Sequence, residues 1–232
     1  MNADNRAKRR ALLVGYGRMG KLIEALSAEY GFHVVGHVNR SNVDRPDGWP
    51  PADVAIDFSS GDAVPANFSK LASRGLAVVL GTTGWNAHEE LVKREAQLRG
   101  VGVVAAPNFA LGVSLFAAMV ECAAEAMSHR TDFGAWIHEL HHSAKRDAPS
   151  GTALALFGAM RRAGYTANID VSSTRAGSIP GTHTIGFDAP AETITLTHTA
   201  RDRSVFARGA LEAAAWVHGR KGWFTMRDVL GL

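Results

Sequence analysis

Residues 11–31 read "ALLVGYGRMGKLIEALSAEYG". A short apolar run, Ala11 to Val14, leads into a cluster of glycines. Helical spacing follows, with Leu22, Ile23, Leu26 and Tyr30 as the apolar positions and Gly31 as the stop. The stretch predicts strand, tight turn and helix, and Gly15, Gly17 and Gly20 form a G-x-G-x-x-G across the turn. The first glycine permits the turn, the second lets backbone approach a pyrophosphate, and the third lets helix pack on strand. The helix N-terminus adds free N–H groups and a positive dipole end for the phosphates. Incidental glycines in a turn would give the same spacing. The strand before and the helix after are what point to a dinucleotide.

Outward from this unit, "FHVVGHVNR" (32–40), "DVAIDFS" (53–59), "GLAVVLGTTG" (75–84) and "GVGVVAAPN" (100–108) read as further strands. Helical stretches at 63–74 and 87–99 separate the later ones. Apolar strands alternating with helices indicate βαβ units and a buried parallel sheet. The pattern then changes. An Ala-rich helix (113–127) is followed by the alternating strand "DFGAWIHELHH" (132–142) and the helix "TALALFGAMRRAG" (152–164), ended by Gly164. Two strand-like runs at 182–187 and 193–199 come next, and "SVFARGALEAAAWVHGR" (204–220) is a final helix. The fold class is therefore α/β: a Rossmann-type parallel-sheet dinucleotide domain with an α+β unit inserted.

The 232 residues suit one large domain or two small ones, and 46% hydrophobic with 20% charged residues is a globular composition. The net charge is +3, part of it in "RAKRR" at Arg6–Arg10. No interleaved aromatics follow, so this reads as a solvated tail and not as a nucleic-acid contact. Cys122 is the only cysteine, which excludes a disulfide framework and a thiolate metal cage; a buried structural thiol is expected. No apolar run approaches the roughly 18 residues that span a bilayer. No signal-peptide h-region precedes the first strand, so a soluble, cytoplasmic protein without membrane or nucleic-acid partners is expected.

The end of the second strand bears on cofactor choice. NAD-specific sites place Asp or Glu there for the ribose 2′-OH, whereas a 2′-phosphate calls for Arg. Here Asn39 and Arg40 stand at that point, with Asp44 and Asp47 farther on. This favours NADPH over NADH; a solvated loop arginine is the alternative. "GTTGW" (81–85) and "APNFALGV" (106–113) end the fourth and fifth strands, where open parallel sheets bind ligands.

One stretch concentrates polar chemistry: "ELHHSAKRDAPSGTA" (139–153). Ser150 is a natural N-cap, and the N–H groups of Gly151 and Thr152 behind it attract an anion. Lys145 adds positive charge upstream. His141 and His142 end a strand and would face opposite sides of it, so one can meet a ligand while the other supports the wall. An imidazole near its pKa passes a proton at neutral pH. Surface histidines or a zinc site are the alternatives, and no third or fourth ligand is evident, so no metal is expected.

The same run resembles the signature of the dihydrodipicolinate reductase (4-hydroxy-tetrahydrodipicolinate reductase) family. "GRMG", "DFS", "GTTGW", "APNF", "TRAGSIPGTHTIGF", "LTHTARDRSVFARGALEAAAWV" and "MRDVL" follow in that family's order. The resemblance implies a dinucleotide domain over 1–108 and 208–232 and a substrate and oligomerisation domain over 109–207, in a homotetramer. It implies NAD(P)H as cofactor and a cyclic dicarboxylate as substrate, reduced in lysine and diaminopimelate biosynthesis. By the same resemblance His141 matches the proton donor and Lys145 the second catalytic residue. His142, Gly151 and Thr152 match substrate binders. Gly15, Tyr16, Gly17, Arg18, Met19, Arg40, Gly81, Thr82, Thr83, Ala106, Pro107, Asn108 and Phe109 match cofactor contacts.

Three features depart from the family pattern. The glycine loop is one residue shorter than the usual "GxxGRMG", Ala110 stands where many members have Ser, and the segment between the second and third strands is compressed. Two other readings fit parts of the chain. A different NAD(P)-dependent imine or amino-acid dehydrogenase would explain the glycine loop but not the whole 139–153 run. A non-catalytic dinucleotide sensor would need no proton donor.

Overall fold

The computed structural model describes residues 8–232. The chain separates into two compact units, one running to Leu111 and resuming over Ser204–Leu232, the other Gly112–Arg203. The first break lies three residues after 108/109, at the start of a helix, and the second four residues before 207/208, because the helix from Ser204 belongs whole to the first unit.

The first unit holds β1 (Arg9–Val14), α1 (Arg18–Ser27), β2 (Phe32–Val38), β3 (Val54–Asp57), α2 (Val64–Ser73), β4 (Ala77–Leu80), α3 (Glu89–Arg99) and β5 (Gly102–Ala105). Leu111 begins α4 (Leu111–Met127), whose remainder lies in the second unit. After the insertion come α6 (Ser204–Val217), β10 (Gly222–Phe224) and α7 (Met226–Leu230). Six strands form one sheet in the order β10-β5-β4-β3-β1-β2, every pairing parallel.

Alternation along the central strands splits the core in two. Leu13, Ile56, Val79 and Val104 face α1 and the Ala-rich α6, while Leu12, Ala55, Val78 and Val103 face Phe68 and Leu71 of α2 and Val92 of α3. Helices on both faces bury both sides, which is why these strands read as unbroken apolar runs. Truncating Ile56 or Leu13 to Ala would cost about 2–5 kcal/mol. The order reverses at β1/β3, and the loops leaving those two strands diverge there, where doubly wound sheets bind ligands.

The second unit contains β6 (Gly134–His141), α5 (Gly151–Arg162), β7 (Ile169–Arg175), β8 (Thr182–Ala189) and β9 (Glu192–Thr199). Its sheet is mixed, in the order β7-β6-β8-β9, with only β6 and β7 parallel. Ile137 and Ile185 face Phe116 and Val120 of α4 and Leu156 and Met160 of α5.

Several local expectations need correction. The helix after the glycine loop ends at Ser27, a 3-10 turn carries the chain to Tyr30, and Gly31 closes it at φ 73°. Arg9 and Arg10 are not a solvated tail but open β1: Arg9 donates to the Ala215 carbonyl at 2.9 Å, and Arg10 pairs with Asp53 at 2.7 Å. Arg6 of the same basic run lies outside the described residues. Cys122 is exposed, because Phe116, Val120 and Ala124 form the buried stripe of α4 and Cys122 falls off it. No helix among the described residues is long and apolar enough to cross a membrane.

Candidate active site

The glycine loop is shaped by contacts as much as by sequence. Gly15 has φ +85°, and a Cβ there would sit 2.5 Å from the Phe58 carbonyl oxygen. A Cβ on Gly20 would meet the Gly15 carbonyl oxygen at 2.6 Å, which is the close packing the third glycine allows. Gly17 is different: nothing lies within 4 Å of its Cβ position, and it caps α1 without any side-chain bond. The start of α1 therefore has open space beside Gly17 and no side-chain cap, as a phosphate cradle requires.

Tyr16 stacks on His37 at 3.8 Å between ring centroids, and its hydroxyl donates to Glu24. Tyr16, Asn39, Arg40, Ser59 and Ser60 line a cavity of about 290 Å³ beyond β1, β2 and β3. None of the residues lining it is acidic. Asn39 is held in its own turn, its Oδ1 accepting from the N–H and hydroxyl of Ser41 at 2.9 and 2.7 Å. Arg40 is exposed. The compressed segment after it is packed down: Trp49 is buried, and Arg74 donates to the carbonyls of Pro46, Trp49 and Pro50.

Not every residue of the other two loops offers a side chain to a ligand. Thr82, Thr83, Ala106 and Pro107 line a second cavity of about 160 Å³ beyond β4, β5 and β10. The Thr82 hydroxyl is already engaged, donating to Asp57 Oδ1 at 2.9 Å and accepting the Ser59 N–H at 2.8 Å. It thereby ties the loop after β3 to the loop after β4. Burial lifts the Asp57 carboxyl above its ordinary range, with Ser59, Thr82 and Asn67 opposing. Gly81 is required for packing, since a Cβ would fall 2.2 Å from the Phe58 ring. Phe109 is core, edge-on to Phe58 with centroids 6.0 Å apart, and Met19 packs against the same cluster. Asn108 accepts the Ala110 N–H at 2.8 Å. Arg18 is exposed at the start of α1.

In the second unit, strand alternation puts Ala135, Ile137, Glu139 and His141 on the buried face of β6. The register sets Glu139 opposite His183 and His141 opposite Arg175. Glu139 is fully buried and carries several partners. Its Oε1 accepts from Arg175 Nη2 at 2.6 Å and the Ser150 N–H at 3.3 Å, and its Oε2 accepts from His141 Nδ1. Burial works against its charge, but Arg175, Ser173 and His141 outweigh it and hold the carboxyl down to about 2. Burial also pushes the His141 imidazole below its ordinary value; Glu139 pulls it up, and Lys145 and Arg175 push it down.

The expected N-cap is present: Ser150 Oγ accepts the Ala153 N–H at 3.2 Å. The same Oγ also lies 3.2 Å from His183 Nε2, and burial drives His183 down to about 4, leaving that ring neutral. Lys145 Nζ lies 2.8 Å from both carboxylate oxygens of Asp147, and the Gly151 N–H donates to the same carboxylate. Above Gly151 nothing lies within 4 Å of a Cβ position. Thr152 follows in the first turn, and His142 is half-buried beside the buried His141.

Sequence reading found His141, Lys145 and the helix start but missed Glu139, Arg175, His183 and Asp147. The first had a signal: two residues before His141 on an alternating strand, it must share its face. Arg175 lies on β7, too polar to read as a strand, and His183 lies on the strand read at 182–187, but the pairing that brings both to β6 is long-range. Glu139, His141 and His183 also bring three ligand-type atoms within 4.8 Å of one another. The Arg175 guanidinium on Glu139 Oε1 and the His141 Nδ1 bond to Oε2 engage the carboxylate in a hydrogen-bond network that opposes a cation there.

Residues 9–109 match the family model described as dihydrodipicolinate reductase, N-terminus, and residues 112–230 match dihydrodipicolinate reductase, C-terminus. The chain belongs to the dihydrodipicolinate reductase family. A 4-hydroxy-tetrahydrodipicolinate reductase of Afipia carboxidovorans is 38% identical over 93% of this chain and 94% of its own length. Another, of Christiangramia forsetii, is 33% identical over 94% and 96%. Among solved structures, the dipicolinate-bound dihydrodipicolinate reductase of Paenisporosarcina sp. TG-14 covers 95% of this chain and 98% of its own, with a TM-score of 0.76 at 20% identity. At that identity the likeness concerns the fold. An amine dehydrogenase of Mycobacterium smegmatis shares the fold more loosely, with a TM-score of 0.57.

Proposed function

We propose that this chain reduces 4-hydroxy-tetrahydrodipicolinate to tetrahydrodipicolinate with NAD(P)H, in lysine and diaminopimelate biosynthesis. The observation that carries the reading is the second unit's network. A buried imidazole fixed through Nδ1 stands on the same short segment as an ammonium and a helix N-terminus. A non-catalytic sensor needs none of these.

The nicotinamide, when bound, supplies a hydride. The first unit holds the dinucleotide through the Gly15–Gly20 turn and the open N-terminus of α1. In the second unit, Lys145 and the Gly151 and Thr152 N–H groups hold a ring carboxylate, which orients the ring and excludes other poses. The hydroxylated substrate loses water to give a conjugated imine, whose ring carbon four accepts the hydride. His141 gives the proton from Nε2 to the neighbouring carbon and becomes neutral, and solvent restores that proton. Electrons and protons then balance: one hydride and one proton enter the ring.

For the cofactor, NADPH is the preferred form and NADH the weaker one, because Arg40 and two serines line the cavity beyond β2 and no carboxylate does. A homotetramer is supported by the open edge of β9, an almost wholly exposed strand carrying Ile194, since free edges invite pairing. The cytoplasm, where the reduced cofactor is supplied, is the fitting compartment. The test is product identification. Incubation with NADPH and 4-hydroxy-tetrahydrodipicolinate should yield tetrahydrodipicolinate, and an unchanged substrate pool would refute the reading.

A further inference from the structure

Glu139 is the most fully enclosed ionised group of the second unit, and its partners are arranged in sequence. A buried carboxylate is tolerated only when paired and hydrogen-bonded. Glu139 meets that condition on one side with Arg175, 2.6 Å from Oε1, and with the Ser150 N–H. Arg175 is itself fixed, donating from the same nitrogen to the Asp147 carbonyl at 2.6 Å and from Nη1 to the Thr174 carbonyl at 2.9 Å. On the other side Oε2 accepts from His141 Nδ1.

An ionised carboxylate can only accept, so His141 must carry a proton on Nδ1. Its other nitrogen, Nε2, faces Gly181, where a Cβ would come within 3.0 Å. Glycine at 181 keeps that edge clear. We propose that Glu139, anchored by Arg175, is a positioning residue for the reduction. It fixes the His141 tautomer, holds Nε2 towards the open Cβ position of Gly181 and supplies the negative charge that keeps a transferable proton there. This rests on His141 being the proton donor.

The groups facing His141 come from each neighbouring element. Glu139 lies on β6, Arg175 on β7, and His183 on β8 with its ring edge-on at 5.1 Å; Lys145 lies on the loop before α5. His198 of β9 stands behind His183 in the next pairing of the same row. Of these only Glu139 favours the protonated ring; Lys145 and Arg175 oppose it, and so does burial. Neutralising Glu139 therefore lets His141 lose its proton at lower pH. A carboxylate that merely staples β6 to the start of α5 would affect stability and leave that titration in place.

The experiment compares kcat against pH for wild type, Glu139→Gln, Glu139→Asp and His141→Gln. In Glu139→Gln the alkaline limb should move towards acid by about 1–3 pH units, the usual effect of an adjacent opposite charge. Glu139→Asp, which keeps the charge, should restore part of that shift. An unmoved limb in folded Glu139→Gln, with His141→Gln inactive, overturns the positioning role alone. Near-normal turnover in His141→Gln overturns the proton-donor reading beneath it. If Glu139→Gln does not fold, nitrogen NMR of wild-type His141 decides. The neutral ring must bear its hydrogen on Nδ1, and an Nε2–H tautomer overturns the proposal.

Discussion

Both carboxylate oxygens of Asp147 lie 2.8 Å from Lys145 Nζ, and the Gly151 N–H donates to the same group. Asp147 thus occupies the position proposed for a substrate carboxylate, and Lys145 pulls its carboxyl below the ordinary range. A planar pyridine-2,6-dicarboxylate must compete with it. The Asp147 side chain is 57% exposed, so the pair contributes only about 0.2–1 kcal/mol. Asp147→Asn should tighten binding of the dicarboxylate up to about fivefold. Weaker binding in that variant would show that Asp147 holds Lys145 in place and does not compete.

The two first glycines of the loop should separate folding from binding. Gly15→Ala meets both a positive φ and the Phe58 carbonyl, and should lose more than about 1 kcal/mol of stability in denaturant titration. Gly17→Ala has ordinary φ and open space, so stability should change by less than about 0.5 kcal/mol. Its new methyl stands where phosphate oxygens approach, and NADPH affinity should fall at least about tenfold, near 1.4 kcal/mol. Unchanged affinity in Gly17→Ala would remove the phosphate from that position.

Cofactor preference turns on Arg40. Asn39, tied into its own turn by Ser41, neither binds a ribose diol as a carboxylate does nor repels a 2′-phosphate. A charge-assisted bond from Arg40 contributes roughly 1.5–3 kcal/mol, which corresponds to about a ten- to hundredfold preference for NADPH in kcat/KM. Exposure of Arg40 places the value at the lower end. Arg40→Ala should bring the two cofactors together, and an unchanged ratio would clear Arg40 of the role.

How far the sequence could be read follows from where each signal lies. Strands buried on both faces announce themselves as apolar runs, so β1, β3, β4 and β5 were legible, as was the helix start at Ser150. β7 was not, because its burial pattern is largely exposed and its "IDVSSTR" is polar. β10 is three residues long, and α7 is a single capped turn at Thr225. His141 and Lys145 stand out by chemical type, yet the groups that set their charge come from pairing. Arg175 and His183 meet Glu139 only once β7 and β8 flank β6. Local spacing carries no trace of that.

The most direct measurement is NADPH oxidation with 4-hydroxy-tetrahydrodipicolinate, in wild type, His141→Ala and Lys145→Ala, each first checked for NADPH binding. Wild type should oxidise one NADPH per tetrahydrodipicolinate formed. His141→Ala should lose at least about a hundredfold in kcat, the usual contribution of a general acid. Lys145→Ala should lose most of its turnover. Both variants should bind NADPH as wild type does, since neither residue lies in the unit that carries the glycine loop. A folded wild-type protein that binds NADPH but leaves this substrate unreduced would contradict the account.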